Sequence, residues 1–343
     1  YKDNFLTLAK CDIPDKAFDQ IKSILDACIF PLIRQRPFNK VANPTDVPRD
    51  IFISAYNTAP LSVNVTKIIQ NNKDEFQAGL TALSKLTEGS VYLTSQKPME
   101  FDNATNVTIA GPHPAGNVGI QIHHIKPINP GEVIWTVNPQ HVITIGKLFQ
   151  NGYYDPECVV SIGGSGSSNP QTVKALIGSS IESLLKDQLL NGSQRIVSGD
   201  VLTGKRVSSD DYLGFYDSSV AIINDDVKRP FLGMLAVGSS STKYSLTNTF
   251  LSARADEFDF TTSQNGELRA IVPLNAWEKM LPMDILPNPL YRAILAQDIE
   301  EMEQLGIWEC DDEDFALCSF ACPSKIDVGS VIREGLDLLE RDS

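Results

Sequence analysis

Arg34, Arg36 and Lys40 stand around Pro37 and Phe38 in a turn-rich stretch, so three cations flank a rigid aromatic. Residues of these types suit a planar ring that carries carbonyl oxygens: the aromatic side chain supplies a wall, and Arg or Lys supplies donors to the acceptors. The alternative for residues 33–40 is a surface or interface loop. Other groups that could do chemistry are less well arranged. Cys318 and Cys322, with Cys310 further off, do not reproduce the ladders of iron–sulfur or zinc proteins, and thiols packed like small apolar side chains are the expectation. His123 and His124 are adjacent; on a strand they point to opposite faces and cannot converge on a metal. The acidic run 309–314 lacks the alternating ligands and central glycine of a calcium loop and reads as a solvated helix start.

Nucleotide and acyl chemistry are also poorly supported. After the strand candidate 50–55 comes Tyr56-Asn57-Thr58-Ala59-Pro60-Leu61, without the glycines that let a pyrophosphate approach a helix N-terminus. The glycine/serine run 163–168 lacks the spacing of a dinucleotide fingerprint, a P-loop or a nucleophile elbow, and reads as a flexible hairpin. The loop 111–119 reads as a tight turn needing special backbone angles.

These residues need elements to hold them. Phe18, Ile21, Leu25 and Cys28 predict an amphipathic helix over 14–28. Strands are expected at 50–55, 91–94, 106–109, 120–125 and 133–137, with helices at 73–86 and at 140–150, the latter ending at Gly152. Strands alternating with helices imply a parallel or mixed sheet covered by helices, an α/β domain running over 1–151. Strands at 158–162 and 195–199 around a helix at 180–190 suggest a β-grasp over 158–209. Residues 210–272 are β-patterned, as at 220–223, and 273–343 are helical, clearest at 300–305 and 330–339.

Composition narrows the classes further. A 343-residue chain with 42% hydrophobic residues can build two or three cores. Its net charge of −14 argues against nucleic acid and against docking on anionic lipid by charge. No apolar run approaches the ~20 residues that cross a bilayer, so the chain reads as soluble. Six scattered cysteines fit free thiols in a reducing compartment, where the four Asn-x-Ser/Thr triplets are chance matches.

Several blocks, in order, resemble one family. They are 111–152 (GPHPAGNVGIQIHHIKPINPGEVIWTVNPQHVITIGKLFQNG), 34–40, Asp211-Tyr212-Leu213-Gly214, 283–287 and 314–323. Together they are similar to the NqrA subunit of the Na+-translocating NADH:quinone reductase, and more distantly to the RnfC component of the Rnf complex and the NADH-binding subunit of respiratory complex I. The family's N-terminal portion, which resembles a biotinyl/lipoyl carrier fold, has no counterpart, so the chain is expected to be a fragment. The resemblance implies a multidomain α/β architecture: a Rossmann-like domain, a soluble-ligand-binding β-grasp module, a β-rich segment and a helical C-terminus. It implies a peripheral subunit on the cytoplasmic face of the bacterial inner membrane, partnered by the other subunits and above all the membrane ones. In that complex NADH, flavin and iron–sulfur chemistry, and the sodium route, lie elsewhere, so this chain is expected to bind no cofactor or metal and to be non-catalytic alone. Quinone contact is also implied, and Arg34, Arg36, Pro37, Phe38 and Lys40 are the expected quinone-binding residues. Fold kinship alone leaves a second reading open, a self-contained soluble flavin or NADH oxidoreductase.

Overall fold

The computed structural model describes residues 30–186, 188–225, 241–245, 258–272 and 274–342. The helix expected over 14–28, with Cys11 and Cys28, lies outside these, as does much of the β-patterned stretch between 226 and 257.

The first sheet is built from β1 (Ile33–Arg36), β2 (Lys40–Val41), β3 (Ile51–Ser54), β4 (Val91–Ser95), β5 (Thr105–Thr108) and β6 (Ile134–Val137), in the order β2-β1-β6-β3-β4-β5. Strands β6, β3, β4 and β5 run parallel, while β1 is antiparallel to both β6 and β2. Buried on both faces, β3 and β6 read as continuous apolar runs (Ile-Phe-Ile and Ile-Trp-Thr-Val), as covered parallel strands must. One face packs on α1 (Val65–Asn71), α2 (Lys73–Leu83) and α4 (Pro139–Asn151), burying Ile51, Ile53, Trp135, Phe76, Leu80 and Ile145. The other face packs on α3 (Val118–Ile125), with Phe52 stacked on Tyr92 at 4.8 Å.

Helix α3 replaces the strand expected at 120–125. The alternation of Ile120, Ile122 and Ile125 is ambiguous over so few residues. Val118, Ile122 and Ile125 form an i, i+4, i+7 stripe against the sheet, whereas Ile120 is buried in the core of the C-terminal helices. A helix covered on two sides buries apolar residues on both, and that erases the 3.6 period.

Helices α2 and α4 touch backbone to backbone. A Cβ on Gly146 would lie 1.7 Å from the carbonyl oxygen of Glu75, and one on Gly79 2.1 Å from that of Val142. Gly146→Ala must therefore push the helices apart, and the urea midpoint should fall by an amount equivalent to about 1–3 kcal/mol at constant m-value. An unchanged midpoint would show that this close approach is dispensable.

The second sheet comprises β7 (Glu157–Gly163), β8 (Gln171–Leu176), β9 (Gln194–Ser198), β10 (Lys205–Val207) and β11 (Ser219–Asn224), in the order β10-β9-β11-β7-β8. Its central pair, β11 and β7, is parallel, and the flanking pairs are antiparallel. The strand expected at 220–223 thus sits in the middle of this sheet, between β9 and β7. Val160, Ile162, Val220 and Ile222 meet Ile181 of the short helix α5 (Ile181–Leu184). The helix expected over 180–190 stops early because its second half pairs with the glycine/serine loop: Ser168 N donates to Gln188 O at 2.7 Å and Leu190 N to Gly166 O at 3.0 Å.

The C-terminal part is helical: α6 (Pro287–Ala296), α7 (Ile299–Gln304), α8 (Ala316–Ala321) and α9 (Val328–Asp342) enclose Trp277, Met302, Phe315, Ile332 and Leu336. Cys310, Cys318 and Cys322 are buried in this core as small apolar fillers. Burial pushes the Cys318 thiol up to about 12 and Cys310 well above its ordinary value, so both are held as neutral thiols.

Candidate functional site

In the first sheet β3 leads through α1 and α2 to β4 on one side, while the chain returns from β5 through α3 to β6 on the other. The carboxyl ends of β3 and β6 are therefore a topological switch point, where open α/β sheets leave a crevice. A cleft of about 390 Å³ opens there, lined by Ser54 from β3, by Thr136 and Val137 from β6 and by Asn117 at the start of α3. Asp200 and Tyr216, from the part of the chain that forms the second sheet, close one side, and Glu313 closes another.

The run 33–40 divides between this cleft and the C-terminal helices. Arg34 and Arg36 share a face of β1 by its period of two, opposite Thr136 and Ile134, and both line the cleft. Arg34 lies 4.4 Å over the ring of Tyr216, and its Nε donates to Asn39 Oδ1 at 3.1 Å. Pro37, Phe38 and Lys40 turn away. Phe38 packs on Trp308 at 5.7 Å between ring centroids, and Lys40 pairs with Glu340 of α9. Phe38 and Asn39 take left-handed backbone angles, φ 75° and 47°, and the Arg333 guanidinium donates to the Phe38 carbonyl at 2.8 Å. Left-handed geometry is unfavourable for a bulky Phe, so its packing and this donor hold the turn.

Arg36 is 2% exposed and meets Glu313 at 2.7 Å, Asp311 at 3.0 Å and Asp314 at 3.5 Å. Two of these carboxylates are themselves buried, Asp311 at 0% and Asp314 at 1% exposure. The acidic run is therefore no solvated helix start. It forms a 3-10 turn, Asp312–Phe315, pressed against β1 and the start of α3, and a buried carboxylate needs a cation nearby. Asp311 accepts from Asn39 Nδ2 at 2.5 Å, from its neighbour Asp312 N at 3.0 Å and from Arg333. Asp314 Oδ1 accepts from Asn117 Nδ2 at 3.4 Å, but its Oδ2 has no hydrogen-bond partner among the described residues. Burial pushes both carboxyls up and Arg36 pulls them down; the balance leaves Asp314 at about 7. Asp311 is pushed well above its ordinary value as well, so the two buried carboxyls titrate as a coupled pair that binds protons more readily than exposed aspartates.

His123 and His124 do not diverge as strand neighbours would. On α3 their rings meet edge-on at 5.2 Å and both contact the C-terminal part. His123 Nδ1 is 2.8 Å from Glu309 Oε2, and its Nε2 accepts from Asp284 N at 3.0 Å. That leaves Nδ1 to carry the hydrogen. The Nε2 of His124 donates to Pro282 O at 2.8 Å. These histidines fasten α3 to the loop before α6.

One cleft residue is missing from the sequence-based expectations. His113 sits in the loop 111–119, which is clamped to the end of β3: Tyr56 Oη donates to Gly111 O at 2.7 Å, and a Cβ on Gly116 would lie 2.5 Å from Tyr56 O. Gly116 N donates to Thr58 Oγ1 at 2.9 Å, and that same oxygen is 3.1 Å from His113 Nδ1. The Thr58 hydroxyl therefore ties the His113 ring to the Gly116 amide, the direction of its bond to Nδ1 following the tautomer of the ring. Burial lowers the His113 pKa, against an opposing pull from Asp200, and the ring stays neutral. Its Nε2 is shut from water without a partner among the described residues, a state that costs about 1–3 kcal/mol. A histidine inside a Gly/Pro loop is the signal that could have pointed to it.

Fold and cleft define a Rossmann-like α/β unit joined to a β-grasp sheet and a helical C-terminus. A family model described as the NqrA second alpha/beta domain matches residues 18–154, and one described as the NQRA C-terminal domain, of SLBB type, matches 159–209. The chain belongs to the NqrA family, a component of the Na(+)-translocating NADH-quinone reductase. The Pasteurella multocida relative is 38% identical over 332 residues, covering 94% of this chain and 74% of its own length. That of Saccharophagus degradans is 37% identical over 94% of this chain and 73% of its own, and that of Hahella chejuensis 34% identical over 99% and 78%. A chain of the NAD+-reducing [NiFe]-hydrogenase overlaps at TM-score 0.40 and 11% identity, covering 52% of this chain and 41% of that one, which is too slight to carry an argument.

Proposed function

We propose that this chain is a peripheral subunit of a sodium-pumping NADH:quinone reductase, docked on membrane subunits at the cytoplasmic face of the inner membrane, where it contacts quinone. Family membership supports the complex. The peripheral role is supported by the absence, among the described residues, of any helix long and apolar enough to cross a membrane.

The observation that carries the quinone reading is the placement of Arg34 and Arg36 along a switch-point cleft, with the Tyr216 ring under Arg34. A quinone head group is flat and carries two carbonyl acceptors; guanidinium donors and an aromatic wall match it. Pro37, Phe38 and Lys40 act behind these groups by fixing the turn that aims them. Photo-crosslinking the assembled reductase with a quinone analogue should label residues 33–40, and label absent from that segment removes the assignment. Phe38→Ala should weaken quinone binding about fivefold without unfolding the protein. Unchanged affinity would count against a role for the turn.

In this reading the chain holds no redox centre and serves as scaffold and quinone wall, with electron transfer on other subunits. A visible spectrum of the purified subunit tests it: a flavin band would turn the chain into an oxidoreductase in its own right.

A further inference from the structure

Three aromatic side chains, Tyr212, Phe215 and Tyr216, stand in the open within one short loop, at 67%, 42% and 36% exposure. The backbone beneath them is pinned. Ile181 N donates to Asp211 O at 2.9 Å, Leu213 N to Ser179 O at 2.9 Å and Gly214 N to Ser198 Oγ at 2.9 Å. Leu213 is buried in the core of the second sheet, and Tyr216 Oη donates to Pro31 O at 2.9 Å. A loop fixed at these points holds its rings out to water, and exposed aromatic surface of this kind marks a contact surface. That surface is continuous with the cleft. Tyr216 and His141 both line the cleft, and the Phe215 ring centroid lies 4.9 Å from that of Tyr216 and 6.2 Å from that of His141. An occupant held against Arg34 and Tyr216 therefore has Phe215 as its next apolar neighbour. The cleft itself is lined by Arg34, Asn57, Asp200 and Glu313, which suit a polar head group and not an apolar chain. Exposed Asp210 and Asp211 precede the three rings; they disfavour an anionic lipid and leave a neutral apolar chain as the fitting occupant.

We propose that Phe215, with Tyr216 beside it, forms an apolar shelf at the mouth of the cleft, on which the isoprenoid tail of a bound quinone lies as it leaves. This rests on the quinone reading above and adds to it the part of the substrate that the polar cleft does not recognise. Tail length then sets affinity as well as the ring does, because apolar contact of about 55 Å² is worth roughly a factor of ten. A quinone without a tail is indifferent to Phe215.

The test uses the assembled reductase and two photoreactive quinones, one with a diazirine on the ring and one with it at the second isoprene unit of the tail. Ring label should fall on residues 33–40 and tail label on residues 212–216. Displacing the ring label with ubiquinone-2, or with the tail-less ubiquinone-0, gives a Kd for each. Phe215→Ser should weaken ubiquinone-2 about tenfold and change ubiquinone-0 by less than about twofold. Phe215→Leu, which stays apolar, should recover most of that loss. Ring label on 33–40 with tail label outside 212–216 overturns the shelf and leaves the quinone reading standing. An equal effect of Phe215→Ser on both quinones, or none on either, does the same. Ring label absent from 33–40 overturns both. If Phe215→Ser fails to assemble, the position of the tail label decides.

Discussion

Arg36→Met should lower the stability of the protein by about 3–5 kcal/mol, measured by denaturant unfolding followed through tryptophan fluorescence. Arg36 is 2% exposed; burial alone would favour its neutral form, but the surrounding carboxylates hold it protonated above its ordinary range. Its removal leaves Asp311 with Arg333 as cation and leaves buried Asp314 without an ion-pair partner among the described residues. A buried ion pair adds little over a well-packed apolar substitute, but breaking one by deleting a single partner is costly. Adding Asp311→Asn and Asp314→Asn to the Met variant should therefore restore much of the loss. A single-variant cost below about 1 kcal/mol would mean that water already screens this cluster.

The same cluster should make folding depend on pH in a direction unusual for a carboxylate. An aspartate in an unfolded chain titrates near 3.9, whereas Asp314 in the fold titrates at about 7. The folded state therefore holds the proton more tightly. The stability this confers is complete below about pH 4 and is lost as pH rises through about 7. Between pH 5 and 8 the unfolding midpoint of the wild type should fall relative to Asp314→Asn, whose carboxamide does not titrate. Parallel profiles for the two proteins would place the proton elsewhere, Asp311 being the alternative. Asn117, Glu313 and Arg36 all face the Asp314 carboxyl, and of these Glu313 adds to the upward push.

Short-range signals are legible in the sequence. The run Ile51 to Ser54, the helix after Asn138 and its stop at Gly152 are readable because apolar periodicity and caps are local properties: Asn138 accepts from Gln140 N at the start of α4, and Gly152 takes φ 78° at its end. Where a segment contacts two cores at once, periodicity fails, and α3 reads as a strand for that reason. Ser219–Asn224 enters the second sheet between strands that precede it by tens of residues, a pairing that pattern cannot reveal. The acidic turn passes for a solvated helix start because Arg36 is 277 residues from its carboxylate partner Glu313. His113 is hidden for a similar reason: Thr58, which gives its ring a direction, lies 55 residues earlier. Side-chain chemistry is visible residue by residue; partnership is not.

The cleft has walls from three parts of the chain: β1, β3 and β6 with their loops, the turns beside the second sheet, and the acidic turn of the C-terminal helices. Ser161 of β7 donates to Leu61 O at 2.5 Å and Gln140 exchanges two hydrogen bonds with Val159, so these parts are pinned close beside the opening. Any occupant touching all three walls prefers one mutual spacing of the units. Thermodynamic reciprocity then requires that a neighbouring subunit which enforces that spacing tighten the occupant's grip by the same factor as the occupant tightens the neighbour's. Assembly and occupancy would then be two readings of a single equilibrium.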